Sequence, residues 1–285
     1  MVAGTAPLSP GSGSERAGSV VVTIPVLMYH EIACRQDTAS RLAVTPDAFA
    51  AQLGYLRDEG FTTISVAELA SALAGELGRL PRRPVVITFD DGFADFHGAA
   101  LPVLLRYGFS ATVFVTTGWI ADAGPHTAGI RPGRMLSWSQ IREAAEAGMG
   151  IGAHSHSHAQ LDQLRPGPLR DELVTSKALL EDGLGRPVPG LAYPYGYSNA
   201  RVRRVAHEAG YAHACAVGNI MAGPRQDAFA LPRLTIRRST SLATFGTIAS
   251  ARKEAVLFLK DRSLTKGYAL VRRTRALLAG VSRGA

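Results

Sequence analysis

Short apolar runs alternate with amphipathic segments along most of the chain, and this alternation restricts the fold more than any other feature. Eight runs read as strands: Ile24–Tyr29, Thr62–Ser65, Val85–Phe89, Ala111–Thr116, Met149–Ala153, Gly190–Tyr193, Ala212–Val217 and Leu234–Arg237. The segments between them carry helix-start signals. Thr45-Pro46 supplies an N-cap and a first-turn proline ahead of Phe49, Leu53 and Leu56 on one face. Ser65-Val66-Ala67-Glu68 and Ser137-Trp138-Ser139-Gln140 are capping boxes, and Ser198 precedes another helical pattern. Gly60, Gly108, Gly148 and Gly210 stand where helices hand over to strands. Strand–helix alternation of this kind makes an α/β fold with parallel strands, and eight strands predict a (β/α) barrel rather than an open sheet.

One domain over residues 20–249 accommodates the pattern. Residues 1–19 are rich in Gly, Ser, Ala and Pro, and read as a leader without a secretory signal. The apolar run from Val20 to Met28 is shorter than the ~20 residues of a spanning helix. These features predict a cytoplasmic protein. Two cysteines, Cys34 and Cys215, are too few for a disulfide scaffold or a cysteine metal cluster. The net charge of +8 is concentrated beyond Ser250, where nine basic residues face two acidic ones. The region 250–285 therefore reads as a basic helical tail, with Leu257, Leu264, Tyr268 and Val271 on one stripe. That pattern fits an anionic membrane surface, and equally a solvated helix. No nucleic-acid partner is expected. Gly118 to Gly133 is a Gly/Pro/Ala-rich stretch, long for a connection, and is expected to lie over a site.

Four predicted strands end in polar groups: His30, the pair Asp90-Asp91, His154, and Tyr195 shortly after the sixth strand. In folds of this class the strand-end loops build the site. His154 and His158 are four apart, so on a helical turn both rings would reach one ion. With one aspartate they supply three ligands, and the other aspartate is left beside them as a base. Taken alone, Asp90-Asp91-Gly92 is also an ordinary turn sequence, and histidine pairs at this spacing also arise without a metal. His156 points elsewhere on the helical geometry.

Thr88-Phe89-Asp90-Asp91-Gly92, His154-Ser155-x-x-His158 and Tyr193-Pro194-Tyr195-Gly196, with the opening Pro25-Val26-Leu27-Met28-Tyr29-His30, resemble the ordered motifs of the polysaccharide deacetylases. This is the NodB-homology domain, carbohydrate esterase family 4, and the resemblance spans about residues 20 to 245. It implies a deformed (β/α) barrel and metal-dependent removal of acetyl groups from N-acetylated amino sugars. By position, Asp90 would be the general base. Asp91, His154 and His158 would hold a divalent ion, usually zinc, with other divalent metals serving in relatives. Ser155 would brace the histidine loop, and the Tyr195 backbone N–H would stabilise the oxyanion.

The chain departs from the family pattern twice. Ala192 stands where many members have an arginine that tunes the base, and Arg233, ahead of the last strand, is the candidate replacement. The C-terminal Leu-x-His motif is missing, since Leu234-Thr235-Ile236 occupies its place. In the poly-N-acetylglucosamine deacetylase branch the catalytic histidine lies on the first strand, which His30 fits. Trp138, Tyr193 and Phe93 are expected as substrate-wall residues, Trp138 foremost. The expected partner is an N-acetylated saccharide or glycoconjugate. Two other readings fit the same motifs: an amidohydrolase of the same fold acting on non-sugar amides or cyclic imides, and a non-catalytic, membrane-associated carbohydrate binder.

Overall fold

A computed structural model of the chain describes residues 23–34, 36–76, 80–224, 226–250 and Phe258. The leader at 1–19 and nearly all of the tail at 250–285 lie outside the described residues. Eight parallel strands form one curled sheet: β1 (Val26–Tyr29), β2 (Thr62–Thr63), β3 (Pro84–Phe89), β4 (Thr112–Val115), β5 (Gly150–Ala153), β6 (Gly190–Ala192), β7 (His213–Cys215) and β8 (Leu234–Thr235). The order across the sheet is β7-β6-β5-β4-β3-β1-β8, with β2 pairing the start of β3. Helices α1 (Pro46–Asp58), α2 (Val66–Leu73), α3 (Leu101–Tyr107), α4 (Trp138–Glu146), α5 (Pro166–Leu184), α6 (Ala200–Glu208) and α7 (Leu242–Ala249) surround it. This is the curled, barrel-like α/β architecture expected from the sequence.

One segment draws the two edges of the sheet together. Its first half pairs with β7, through Leu231 N–H to Ala214 C=O at 2.9 Å and Ala216 N–H to Leu231 C=O at 2.8 Å. Its second half, β8, pairs with β1 in the register Leu27↔Leu234 and Met28↔Thr235. Arg233 lies between these halves, at the seam.

All eight expected strands are present, most of them shorter than their apolar runs. Ile24 does not extend β1; it forms an antiparallel bridge with Ala222. Pro25 has no N–H to carry the parallel ladder further. The cap of α6 is Asn199, whose side chain accepts from Val202 N–H, rather than Ser198. The two capping boxes form as expected, at Ser65/Glu68 and Ser137/Gln140.

Side chains alternate between the two faces of each strand. Val26, Val86, Phe114, Ala192, Cys215 and Leu231 fill the concave side, which α2 covers with Val66 and Leu69. Leu27, Tyr29, Ile87 and Phe89 face outward into the larger core against the helices. Beside the site, Tyr29, Phe49, Phe89 and Phe96 form an aromatic cluster with ring centroids 4.9–5.7 Å apart. Each such pair contributes about 0.5–1.5 kcal/mol beyond area burial. The cluster fixes the C-terminal ends of β1 and β3, from which His30, Asp90 and Asp91 project. Cys34 and Cys215 are free thiols. Among the described residues, no helix is long and apolar enough to cross a membrane.

Candidate metal and acid–base site

Three ligand atoms converge at the strand ends. Asp91 turns out of β3 with a left-handed φ of 74°. Its Oδ1 lies 3.3 Å from His154 Nε2 and 3.2 Å from His158 Nε2. His154 is buried, and its Nδ1 lies 2.9 Å from the carbonyl of Ala192, to which it donates. That bond leaves Nε2 as the nitrogen facing Asp91, the second-shell arrangement that orients a histidine ligand. His158 is held by its ring neighbours, stacked on Trp119 at 4.7 Å and edge-on to Tyr195 at 4.7 Å. A carboxylate oxygen and two ring nitrogens this close need positive charge among them, supplied by protons or by a cation. Burial pushes the Asp91 pKa up, but the two imidazoles outweigh it and hold the group well below the carboxylate range. His154 moves the opposite way: burial lowers its pKa, and Asp90 and Asp91 raise it past the ordinary value. The donor set and its buried, mutually oriented atoms fit a divalent cation.

The histidine loop is not helical. His154 follows directly on β5, and the ligands are brought together by left-handed backbone at Ser155 and His158, each with φ 61°. The Ser155 hydroxyl accepts the His158 N–H at 3.0 Å, so Ser155 does brace the loop. His156 points away and pairs with the Thr117 hydroxyl at 2.9 Å. The stretch from Gly118 to Gly133 lies against this loop, as its composition suggested. A side chain at Gly118 would meet the His156 carbonyl, and one at Gly129 the Ser157 carbonyl.

Asp90 follows Val86 and Thr88 on the concave face, as strand alternation requires. It is 3% exposed and gripped by the fully buried Arg233. The guanidinium is bidentate, with NH1 to Oδ1 at 2.5 Å and NH2 to Oδ2 at 2.7 Å. Its remaining donors reach the Ala216 carbonyl at 3.2 Å and the Thr88 hydroxyl at 3.3 Å. Burial drives the Asp90 pKa up; the charge and hydrogen bonds of Arg233, aided by His154, bring it below the ordinary value. The structure thus brings Arg233 to the carboxylate that Ala192 cannot reach. His30 lies in the same electrostatic field, with Nδ1 buried and unpartnered. Burial lowers its pKa, opposed by Asp91 and Asp90 and reinforced by Arg233. Tyr195 has a left-handed φ of 61° and a half-exposed ring, and its N–H makes no hydrogen bond among the described residues.

Of the three aromatics expected as a substrate wall, Tyr193 and Phe93 are buried. Trp138 packs on Gly183, three helical turns along α5 from Glu172, which contacts the histidine loop. Tyr193 is fully buried and spends its hydroxyl on the Phe229 carbonyl at 2.9 Å. Phe93 is 6% exposed and clusters with Trp119 and Met135. The aromatics at the triad are Trp119 and Tyr195, with Tyr197 stacked on Tyr195 at 6.1 Å. Sequence reasoning missed Trp119 as a neighbour of His158, Glu172 as an anchor of the loop, and the Ala192 carbonyl as the partner of His154.

Residues 78–214 match the polysaccharide deacetylase family model. The Bacillus subtilis (strain 168) protein YxkH, placed by its name among polysaccharide deacetylases, is 29% identical over 230 residues, which are 81% of this chain and 77% of that one. The poly-β-1,6-N-acetyl-D-glucosamine N-deacetylase of Staphylococcus epidermidis is 27% identical over 205 residues, 68% of each chain. Among solved structures, the Streptococcus pyogenes deacetylase PplD in complex with acetate superposes with a TM-score of 0.70 at 29% identity, covering 79% of this chain and 96% of that one.

Proposed function

We propose that this chain carries a polysaccharide deacetylase domain of the NodB type, and that it is a metal-dependent carbohydrate N-deacetylase hydrolysing the carbon–nitrogen bond of N-acetylglucosamine residues in a saccharide polymer or glycoconjugate. The observation that carries the reading is the convergence of Asp91, His154 and His158 beside an arginine-paired Asp90. Asp91, His154 and His158 would hold the ion. Zinc suits two imidazoles and a carboxylate with an open position, and other divalent first-row ions suit the same donors. The ion would supply a more acidic water and a Lewis-acid pull on the acetamide carbonyl.

The chain's own residues supply the proton transfers and positioning. Asp90, kept ionised by Arg233, takes the proton of the attacking water. The Tyr195 N–H, without an acceptor among the described residues, is the donor that would stabilise the developing oxyanion. His30, neutral at rest because burial lowers its pKa, gains proton affinity as negative charge builds beside it. It takes up a proton from solvent and, as imidazolium, delivers it to the departing amine while Asp90 keeps the proton of the water, leaving acetate and a free amino sugar. The half-exposed ring of Tyr195, stacked on Tyr197, offers a face for a sugar ring.

The decisive assay is acetate release from β-1,6- and β-1,4-linked N-acetylglucosamine oligomers, with a non-sugar acetamide and a cyclic imide as comparisons. Release from at least one oligomer, abolished by chelation, is the expected result. Turnover of the imide or simple amide alone would replace this reading with the amidohydrolase one.

A further inference from the structure

The five-residue histidine loop holds two non-glycine residues, Ser155 and His158, in left-handed backbone. Such conformations persist only where the surroundings over-determine them. The inner side of the loop is fixed by the Ser155 hydroxyl on His158 N–H. Two neighbouring N–H groups fix carbonyls of the loop: Gly118 to His156 at 2.7 Å and Thr117 to Ser155 at 3.3 Å. The outer N–H groups, of His156 and Ser157, have one acceptor between them. Both point at Glu172 Oε2, at 2.9 and 2.8 Å. The Ser157 hydroxyl donates to the other oxygen, Oε1.

Glu172 is therefore a carboxylate seated in a concave pair of backbone N–H groups, an anion-binding turn. It is the only charged side chain bonded to the loop backbone among the described residues. It sits on α5 between Leu169 and Leu173, both fully buried in the main core. Core packing of the helix thus sets where the carboxylate is, and the carboxylate sets where the turn between His154 and His158 lies.

We propose that Glu172 is a positioning residue for the metal site: it ties the turn at His156–Ser157 to the core and so holds His154 and His158 at the separation that lets both reach the ion beside Asp91. The inference rests on the reading of Asp91, His154 and His158 as ligands. Its chemistry makes a particular demand on substitutions. Gln keeps the reach and an oxygen that accepts both N–H groups, and the Ser157 hydroxyl can turn to accept from its amide. Asp keeps the charge but falls one methylene short. Ala keeps neither.

The test is the affinity of the metal-free protein for Co2+ and Zn2+, measured by competition with a chromophoric chelator, with the visible spectrum of the Co2+ form recorded alongside. The expected order is wild type, then Glu172→Gln close behind, then Glu172→Asp and Glu172→Ala both weaker by about 10- to 100-fold. The Asp and Ala variants should also show an altered Co2+ spectrum. Metal-free unfolding midpoints report any general structural damage separately. Equal affinity and spectra in all four proteins would overturn the proposal. So would Asp outperforming Gln, which would show that charge rather than reach matters. If Glu172→Ala does not fold, the Gln and Asp variants alone still decide between the two orders. Wild-type protein that binds neither metal would overturn the ligand reading itself, and this inference with it.

Discussion

Removing the guanidinium of Arg233 should be the most costly single change near the site. In Arg233→Met the Asp90 carboxylate, 3% exposed, loses both of its short bonds, and the Ala216 carbonyl loses a donor. Breaking a buried ion pair by removing one partner costs about 3–5 kcal/mol, because the remaining charge stays buried without compensation. The sign of the pH dependence follows from the same contacts. In the wild type the Asp90 pKa is depressed, so the pair's contribution is complete above the unfolded-state value and is lost as pH falls through the folded one. In the variant, burial acts unopposed by Arg233 and the Asp90 pKa rises, so acid relieves the buried charge. The stability gap between the two proteins should be widest at neutral pH and shrink toward acid. Urea unfolding followed by tryptophan fluorescence across that range measures it. The double variant Asp90→Leu/Arg233→Met, with neither charge, should recover at least ~2 kcal/mol of the loss, since apolar replacements of buried pairs are often neutral. A gap under about 1 kcal/mol that does not change with pH would refute the reasoning, since the pair would then be hydrated rather than buried.

Three further outcomes are expected. Asp90→Asn should lower turnover by roughly 10²–10⁴, the usual range for a lost general base, while metal still raises the unfolding midpoint; near-normal turnover would remove Asp90 from the mechanism. His213 is buried at the start of β7 with no side-chain hydrogen bond among the described residues, and burial lowers its pKa to about 4. The unfolded chain therefore binds this proton first, and stability falls between about pH 6.5 and 4 by an amount on the order of 3 kcal/mol from this residue. His213→Gln should flatten that slope. The comparison must be variant against wild type, because Asp95, raised to about 6 by burial, contributes with the opposite sign in the same window. Finally, the basic stripe of residues 250–285 predicts binding to vesicles containing phosphatidylserine, lost on truncation after Ala249; equal flotation of both proteins would assign the tail another role.

The strands were legible because a buried parallel strand must be nearly continuously apolar, and the polar residues ending those runs marked the site end of the sheet. The capped helices were legible for a similar reason, since capping needs particular side chains at fixed offsets. Arg233 was legible only through the resemblance, as an arginine ahead of the last strand in a chain where Ala192 stands at the usual arginine position. The histidine loop was misread as helical because spacing of four reports proximity on a helix but cannot exclude a turn made by left-handed Ser155 and His158. Tertiary partners were harder to see. The Ala192 carbonyl is backbone and has no sequence signature. Glu172 lies 16 residues beyond His156 on a helix face that looks merely solvated. That Trp119 meets His158 depends on the path of its loop past Gly118 and Gly129, which no local pattern around the ring reports.

In the proposed mechanism one divalent ion, held by Asp91, His154 and His158, serves acetamide hydrolysis at Asp90. Metal content and acetate release from an N-acetylglucosamine oligomer, measured together on wild type, His154→Ala and Asp90→Asn, test it most directly. One ion and acetate are expected in the wild type, neither in His154→Ala, and one ion with little acetate in Asp90→Asn. Wild-type rates of acetate release from a metal-free His154→Ala protein would contradict it.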